Sequence, residues 1–398
     1  MRLLFISHLY PNSVEPDNAP YNRQLIKAIS TIAAVRVIAP VFHSIIPFIR
    51  PRGKLPPLQE KIDGISISHP RIFYVPGLFL EKRWKLYYKA VKPFFIDSVN
   101  DAKPDHVIAG FAYPDGVAVS ELCREKGLKW SLRVNGSDVW IKMKQEHFCR
   151  IITDSIKSAS YVFCPGVELK KELTKYGIEH SRIAVFQNGV DTELFKINDK
   201  KKAREKLSQT FSFVPPDIET KIFVCIGHHE YVKGQDRLLQ AWEILESLLM
   251  DDENAVLVFI GEGTKTKQLK KVVERSHLRA SVFFTGKILH ENIPLWLNAA
   301  DVLCLPSRSE GMPNVVMEAF ACGIAVVATD VGEVKNIVRE GVNGFIVPRE
   351  DESFAEKFAE AMLKAARKNW NRGDIRMTVV GRTWDEAAQV LMSAIRSG

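Results

Sequence analysis

Short β-branched runs alternate with amphipathic stretches from one end of this chain to the other, and that alternation restricts the available folds more than any other feature. Residues 2–7 (RLLFIS), 35–39 (VRVIA), 106–110 (HVIAG), 130–134 (WSLRV), 161–164 (YVFC) and 183–187 (IAVFQ) read as buried strands. Between most of them lie segments such as NRQLIKAISTIA and DGVAVSELCREKG, whose apolar residues recur at three- and four-residue intervals. Buried strands separated by such helices call for a mostly parallel sheet covered on both faces. After a polar, basic segment with two adjacent prolines, KINDKKKAREKLSQTFSFVPPDIET, a second series begins at KIFVCIG. It runs on through AVLVFIG, SVFFTG, DVLCLP, IAVVAT and GFIVP.

A chain of 398 residues exceeds what one core accommodates. The sequence therefore predicts two parallel-sheet α/β domains, residues 1–195 and 196–378, joined near 196–220. A C-terminal helix within 379–398 could pack back on the first. The net charge of +8 is scattered, with its densest cluster near mid-chain, as on a solvated surface, so no nucleic-acid partner is expected. The six cysteines are far apart and none forms a CxxC, which suits reduced buried thiols. The N-terminal apolar run is too short for a signal peptide, and no stretch has the ~18 uninterrupted apolar residues of a spanning helix. These features predict a cytoplasmic protein, with contact at the inner face of a membrane left open.

Residues 310–323, EGMPNVVMEAFACG, carry the most specific chemistry. DVLCLP reads as a strand and SRSEGMP as a turn. Pro313 suits the start of a helix and Gly323 its stop. Glu310 then falls in the loop at the carboxyl end of a strand, where open α/β sheets bind ligands, and Glu318 lies more than a turn into the helix. The N–H groups of Asn314, Val315 and Val316 would point at the same place with the positive end of the helix dipole, a seat for phosphate. Two hydroxyl acceptors flanking an anion site match the groups of a sugar linked to a diphosphate. A loop charge and a solvated helix residue would be the plainer account, but the apolar neighbours of Glu318 imply burial, and a buried carboxylate needs partners.

With that spacing, Glu310-x7-Glu318 inside SRSEGMPNVVMEAFACGIAVVATDVGEV, the sequence resembles the retaining GT-B glycosyltransferases of the GT4 type. Ordered echoes cover nearly the whole chain: FAYPDGVAVSELCREKG, NGSDVW, QNGVDTELF, GHHEYVKG, VFIGEGTKTKQL, FTGKILHENIPLWLNAADVLCLPS and TWDEAA. The resemblance implies two Rossmann-like domains facing across a cleft, the second holding a nucleotide-sugar donor and the first a glycan or lipid-linked acceptor. It implies that Glu310 contacts hydroxyls of the donor sugar, Glu318 the ribose, and the amides of Asn314 to Val316 the diphosphate. Lys233, in the loop that begins at Gly227, matches a lysine that meets the donor phosphates, where a cation stabilises the departing diphosphate. Gly286 and the neighbours Lys287 to Leu289 match the lining of the base pocket. Retention also comes from the resemblance, and a front-face mechanism, in which the departing phosphate helps deprotonate the acceptor, fits it. No cofactor is expected beyond the nucleotide sugar itself.

The chain departs from the pattern at several positions. His228 stands where an arginine is usual, and imidazole cannot form the guanidinium fork. Asn135 precedes Gly136, Ser137 and Asp138 where many members carry histidine; asparagine can hydrogen-bond a sugar hydroxyl but cannot accept its proton. PDNAPYNRQ replaces a glycine-bearing loop after the first strand, and Glu333 replaces a common glycine. These departures leave a non-catalytic nucleotide-sugar-binding subunit as an alternative, and the architecture would equally host an epimerase or a phosphorylase.

Remaining signals are less specific. Gly261-x-Gly263 lacks the third glycine of a dinucleotide-binding turn. No D-x-D occurs, which favours metal-independent chemistry. Asn188 and Gly189 form a turn signal. Asp138 and Asp115 are candidates for acceptor contacts, with a helix N-cap the better account of Asp115. Residues 78–95, LFLEKRWKLYYKAVKPFF, interleave basic and aromatic residues, which fits an anionic membrane surface and equally a helix packing its aromatics into the first domain.

Overall fold

The computed structural model describes residues 1–45, 54–78 and 80–397. The chain divides into two compact units, Met1–Gly189 with the C-terminal segment from Trp384, and Val190–Thr383.

The first unit holds strands β1 (Arg2–Ile6), β2 (Ala34–Ile38), β3 (Val41–Ser44), β4 (Gln59–Ile62), β5 (Ile65–Ser68), β6 (Arg71–Tyr74), β7 (His106–Ala109), β8 (Trp130–Arg133), β9 (Val162–Cys164) and β10 (Ile183–Val185). Its main sheet runs β10-β9-β8-β7-β1-β2-β5-β4, parallel except for β4 against β5, while β3 and β6 form a separate parallel pair. Side chains alternate across β1. Leu3 and Phe5 join a core built from helix Pro20–Ser30 and the C-terminal helix Trp384–Ser397, and Leu4 and Ile6 join the core under helices Arg83–Ala102 and Val117–Lys126.

Strands β3 to β6 are absent from the sequence reading. They are only four residues long, and the alternation that β5 does show, Ile65 and Ile67 buried between serines, is too brief to stand out; Asp63-Gly64, the hairpin turn between β4 and β5, is the signal that could have found them. In the stretch 78–95, Phe79 lies outside the described residues. Tyr87, Val91 and Phe95 of that stretch are fully buried in the first unit's core.

The second unit holds β11 (Lys221–Ile226), β12 (Ala255–Ile260), β13 (Val282–Gly286), β14 (Val302–Leu305), β15 (Ala325–Thr329) and β16 (Gly344–Val347). The order β13-β12-β11-β14-β15-β16, all parallel, reverses direction between β11 and β14. In the first unit the corresponding reversal lies between β1 and β7. At such a point the two neighbouring crossovers run to opposite sides and leave a crevice at the strand carboxyl ends.

The unit boundaries differ from the expected 195/196 and 378/379. Val190 and Phe195 belong to the second unit's core, as does Val379, and the Val190 N–H donates to the Arg382 carbonyl at 2.9 Å. The basic mid-chain segment is likewise part of the second unit. It forms helix Lys200–Ser208, capped by Asp199, whose carboxylate accepts the Lys202 N–H at 2.8 Å. From that helix the buried Arg204 reaches the Ala299 carbonyl (3.0 Å) and Asp301 (2.8 Å). Among the described residues no two cysteines are joined by a disulfide, and five of the six are buried.

Candidate functional site

In the second unit the loops after β11 and β14 meet at the sheet reversal. Gly227 ends β11, its N–H bonded to the Ile260 carbonyl at 2.9 Å, and the loop turns through Tyr231–Lys233 into helix Gln235–Leu248. Gly234 closes that turn with φ +69°, and a Cβ there would lie 2.0 Å from the Pro306 carbonyl oxygen. Only glycine allows the approach that carries Lys233 to the end of β14. Lys233 Nζ donates to Glu310 Oε1 at 2.7 Å and Oε2 at 3.0 Å, and the Ser307 hydroxyl donates to Oε1 at 2.7 Å. The Glu310 side chain is 8% exposed, so its charge is satisfied by these donors rather than by bulk water.

Helix Asn314–Ala321 follows directly, with Val316, Met317 and Phe320 in the core. Asn314 and Val315 head this helix. The Val316 amide, expected to be open to a ligand, donates to the Pro313 carbonyl at 3.1 Å and its side chain is fully buried, because the first turn closes on itself. Glu318, one turn on, accepts from or donates to His290 across 2.7 Å, and both side chains are mostly buried. His290 opens the short turn that follows Gly286, Lys287 and Leu289 at the end of β13, and its ring lies 5.2 Å from that of Phe195. Leu289 is exposed. No sequence feature marks His290, since it meets Glu318 only when β13 and the helix are brought together.

His228 is exposed, with Nδ1 3.3 Å from the Glu262 carbonyl. Glu333, which has no reading in the sequence, is buried; its N–H donates to the Gly311 carbonyl at 3.0 Å and its carboxylate accepts from Asn336 at 2.7 Å. Its φ of −88° makes no demand for glycine. The adjacent Gly332 does: at φ +54°, a Cβ would fall 2.3 Å from the Glu310 carbonyl oxygen. The turn after β15 therefore presses on the Glu310 loop.

In the first unit the reversal point gathers a different set. Asp138 is fully buried, and its carboxylate accepts the amides of Asn135 (3.1 and 3.2 Å), Gly136 (2.9 Å) and Ala112 (3.3 Å). Burial pushes its pKa up to about 6 against the pull of those amides. Asp138 thus ties the loop after β8 to the loop after β7 and presents no oxygen to an acceptor. Asn135 adds a second tie, Nδ2 to the Gly110 carbonyl at 2.9 Å.

Asp115 is not a cap. Helix Val117–Lys126 receives no side-chain capping bond, and the buried Asp115 carboxylate instead meets His8 Nδ1 at 2.7 Å and the His8 N–H at 3.3 Å. Asn188 accepts from the buried Arg133 at 2.9 Å; Arg133 also bonds Asn22, and burial lowers its pKa to about 10. The NGVD stretch is therefore anchored in the core of the first unit at its asparagine.

Residues 209–388 match the family described as glycosyl transferases group 1. That span is nearly coextensive with the second unit. Over 371 residues the chain is 26% identical to the "Putative teichuronic acid biosynthesis glycosyltransferase TuaC" of Bacillus subtilis (strain 168), covering 89% of this chain and 88% of that one. It is 30% identical over 237 residues to D-inositol 3-phosphate glycosyltransferase 1 of Catenulispora acidiphila, a match spanning 58% of this chain and about half, 55%, of the relative. Among solved structures, the sucrose-phosphate synthase of Thermosynechococcus elongatus aligns over 100% of this chain and 98% of its own with a TM-score of 0.79 at 18% identity. HepE of Anabaena, solved in complex with UDP-glucose, aligns over 100% of both chains with a TM-score of 0.73 at 18% identity. The likeness to these structures establishes the fold, two Rossmann-like units of the GT-B class.

Proposed function

We propose that this chain, which belongs to the glycosyl transferases group 1 family, moves a sugar from a nucleoside diphosphate to a hydroxyl acceptor with retention of anomeric configuration, in assembly of a surface polysaccharide or glycolipid. The observation that carries the reading is the Lys233–Glu310 pair at the strand-order reversal, beside the head of helix Asn314–Ala321. In this reading the diphosphate takes Lys233 and the amides of Asn314 and Val315, releasing Glu310 to accept from donor-sugar hydroxyls. Glu318 accepts from the ribose hydroxyls, and Gly286, Lys287 and Leu289 border the base. Lys233 and the helix dipole then meet the charge that develops on the departing diphosphate, a metal-independent arrangement. HepE was solved with UDP-glucose, which supports a nucleoside diphosphate sugar as donor.

The test is a thermal-shift panel of UDP, GDP, ADP, their sugar conjugates and NAD on wild type and Glu318→Ala. A ligand at a hundred times its dissociation constant adds about 2.7 kcal/mol to the folded state. One nucleoside diphosphate should stabilise the wild type and lose that effect in the variant. A panel with no stabilising nucleotide would overturn the donor reading.

A second reading concerns location, and we propose that the first unit rests on the inner face of an anionic membrane. Ile45, Phe73, Leu78 and Leu86 are exposed around Arg83, with Lys82, Lys85 and Lys89 at the rim. Exposed apolar side chains ringed by cations suit a surface of acyl chains and anionic headgroups. No described helix is long and apolar enough to cross a membrane.

A further inference from the structure

We propose that the second unit binds a small, multiply charged phosphate anion in a cavity at the amino ends of β11, β14 and β15. This is the sheet edge opposite the one that carries Lys233 and Glu310, and the assignment does not depend on the sugar-transfer reading.

The cavity measures about 360 Å³, within the roughly 300–1,000 Å³ of small-ligand sites. Among the described residues, Lys200, Lys221, Arg367, Lys368 and Arg372 line it against one carboxylate, that of Asp301. The strand order explains the gathering. Lys221 opens β11 and Asp301 immediately precedes β14, while Lys200 opens helix Lys200–Ser208 and the other three cations lie where helix Phe354–Arg367 gives way to helix Arg372–Met377.

Asp301 is already committed. It accepts from Lys200, from Arg204 at 2.8 Å and from the Ile222 N–H at 2.8 Å. Arg367 closes on Glu253 with two bonds of 2.9 and 2.6 Å. Arg372 gives its Nη groups to the carbonyls of Asn198 (2.9 Å) and Cys322 (2.8 Å) and to Asn298 Oδ1 (2.6 Å). Lys221, Lys368 and Asn369 are different: among the described residues their side chains make no ion pair and no hydrogen bond. Trp370, in the cavity wall, has the Lys368 ammonium 5.0 Å from its ring centroid.

This excess of cations is not spread over open surface. The Lys200 side chain is 29% exposed, and burial, with Arg204 and Lys221 nearby, holds its pKa below the ordinary lysine value despite Asp301. Burial lowers the pKa of Arg372 as well. Cations crowded into a recess repel one another and focus a positive potential there, which a bound anion relieves. A diphosphate carries enough charge and acceptor oxygens to meet two lysines and the Asn369 amide together. An extended lipid surface meets outlying side chains, whereas Lys200 and Arg372 are recessed, which favours a small soluble anion.

The experiment titrates inorganic pyrophosphate by calorimetry into the full-length chain in two backgrounds: wild type with UDP in excess to occupy the donor site, and Lys233→Ala without UDP. One pyrophosphate per chain should bind in both, more weakly as sodium chloride is raised. Lys221→Ser combined with Lys368→Ser should weaken it about ten-fold or more in both, with the melting temperature kept, because neither lysine holds a structural bond. No binding in either background, or binding that the double variant leaves unchanged, overturns the proposal. Binding that Lys233→Ala abolishes and the double variant spares assigns the anion to the donor site, which overturns the proposal and leaves the sugar-transfer reading standing. A chain that ignores UDP yet binds pyrophosphate through Lys221 and Lys368 defeats the donor reading and upholds this one. Vesicles of phosphatidic acid form the lipid arm: sedimentation with them that needs Lys221 and Lys368, without pyrophosphate binding, overturns the assignment to a small anion.

Discussion

Lys233 and Glu310, one from the loop after β11 and the other from the loop after β14, hold each other in a two-pronged ion pair at the point where the sheet order reverses. A cation so placed can exchange its carboxylate for a diphosphate with little rearrangement. Lys233→Ala should therefore weaken UDP binding about ten-fold or more, the worth of a charge-assisted hydrogen bond. Glu310→Gln should keep UDP affinity and lose about 10²-fold in turnover. Calorimetry and donor turnover separate the two roles, and unchanged UDP affinity in Lys233→Ala removes the lysine from the donor site.

Glu318 and His290 form the second contact of the same unit. His290→Asn should leave the Glu318 carboxylate available to a ribose while removing the imidazole that holds it. Nucleotide affinity should fall by a few-fold, less than in Glu318→Ala. A larger loss in the His290 variant than in the Glu318 variant would reverse the assigned order of contacts.

Gly332→Ala tests how tightly the Glu310 loop is supported. The new methyl group would meet the Glu310 and Gly311 carbonyl oxygens at 2.3 and 2.5 Å, in a left-handed backbone conformation that disfavours side chains. A displacement on the order of 1 Å at a reacting centre costs roughly 10²-fold in rate. The expected result is a lower melting temperature and a kcat reduced far more than UDP affinity; wild-type kinetics would show that the loop yields without consequence.

Asp138 predicts a pH dependence of stability. Its pKa is raised to about 6 in the folded chain, above the ordinary carboxylate value, so between about pH 4 and 6 the folded state holds a proton that the unfolded state has lost. Stability therefore falls as pH rises through that window, by about 3 kcal/mol from this one group. Denaturant unfolding at pH 4, 5, 6 and 7 should show the decline in wild type and not in Asp138→Asn. That variant should be less stable at neutral pH, because its amide group turns a donor toward backbone N–H groups.

The exposed apolar patch of the first unit predicts sedimentation with vesicles containing anionic lipid and weaker sedimentation with neutral ones. Leu86→Gln combined with Phe73→Gln should reduce it, and high salt should too. Equal binding to neutral and anionic vesicles would argue against the cationic rim.

Much of the second unit could be read from the residues in order. Glu310, Pro313, Glu318 and Gly323 lie within one strand–turn–helix passage, so their spacing alone places them around a helix start. Lys233 was singled out by the resemblance of GHHEYVKG to the family pattern, not by its own local sequence. Val316 was misjudged because an amide in a first helical turn can close on the residue three before it, and sequence does not say when it will. Asp115 precedes a helix, as a cap would, yet its partner is His8, 107 residues away.

The two series of buried runs and helical faces determined two parallel α/β units, because strand and helix periodicity are local properties that each segment carries with it. The E-x7-E passage determined, for the same reason, that one glutamate precedes helix Asn314–Ala321 and the other lies within it. The partners of those groups, His290 for Glu318, His8 for Asp115 and three backbone amides for Asp138, were decided only by the tertiary structure. Each partnership depends on strand order, and strand order follows from which sheet edges and helix faces pack together, a choice made by the whole core rather than by any one stretch of chain.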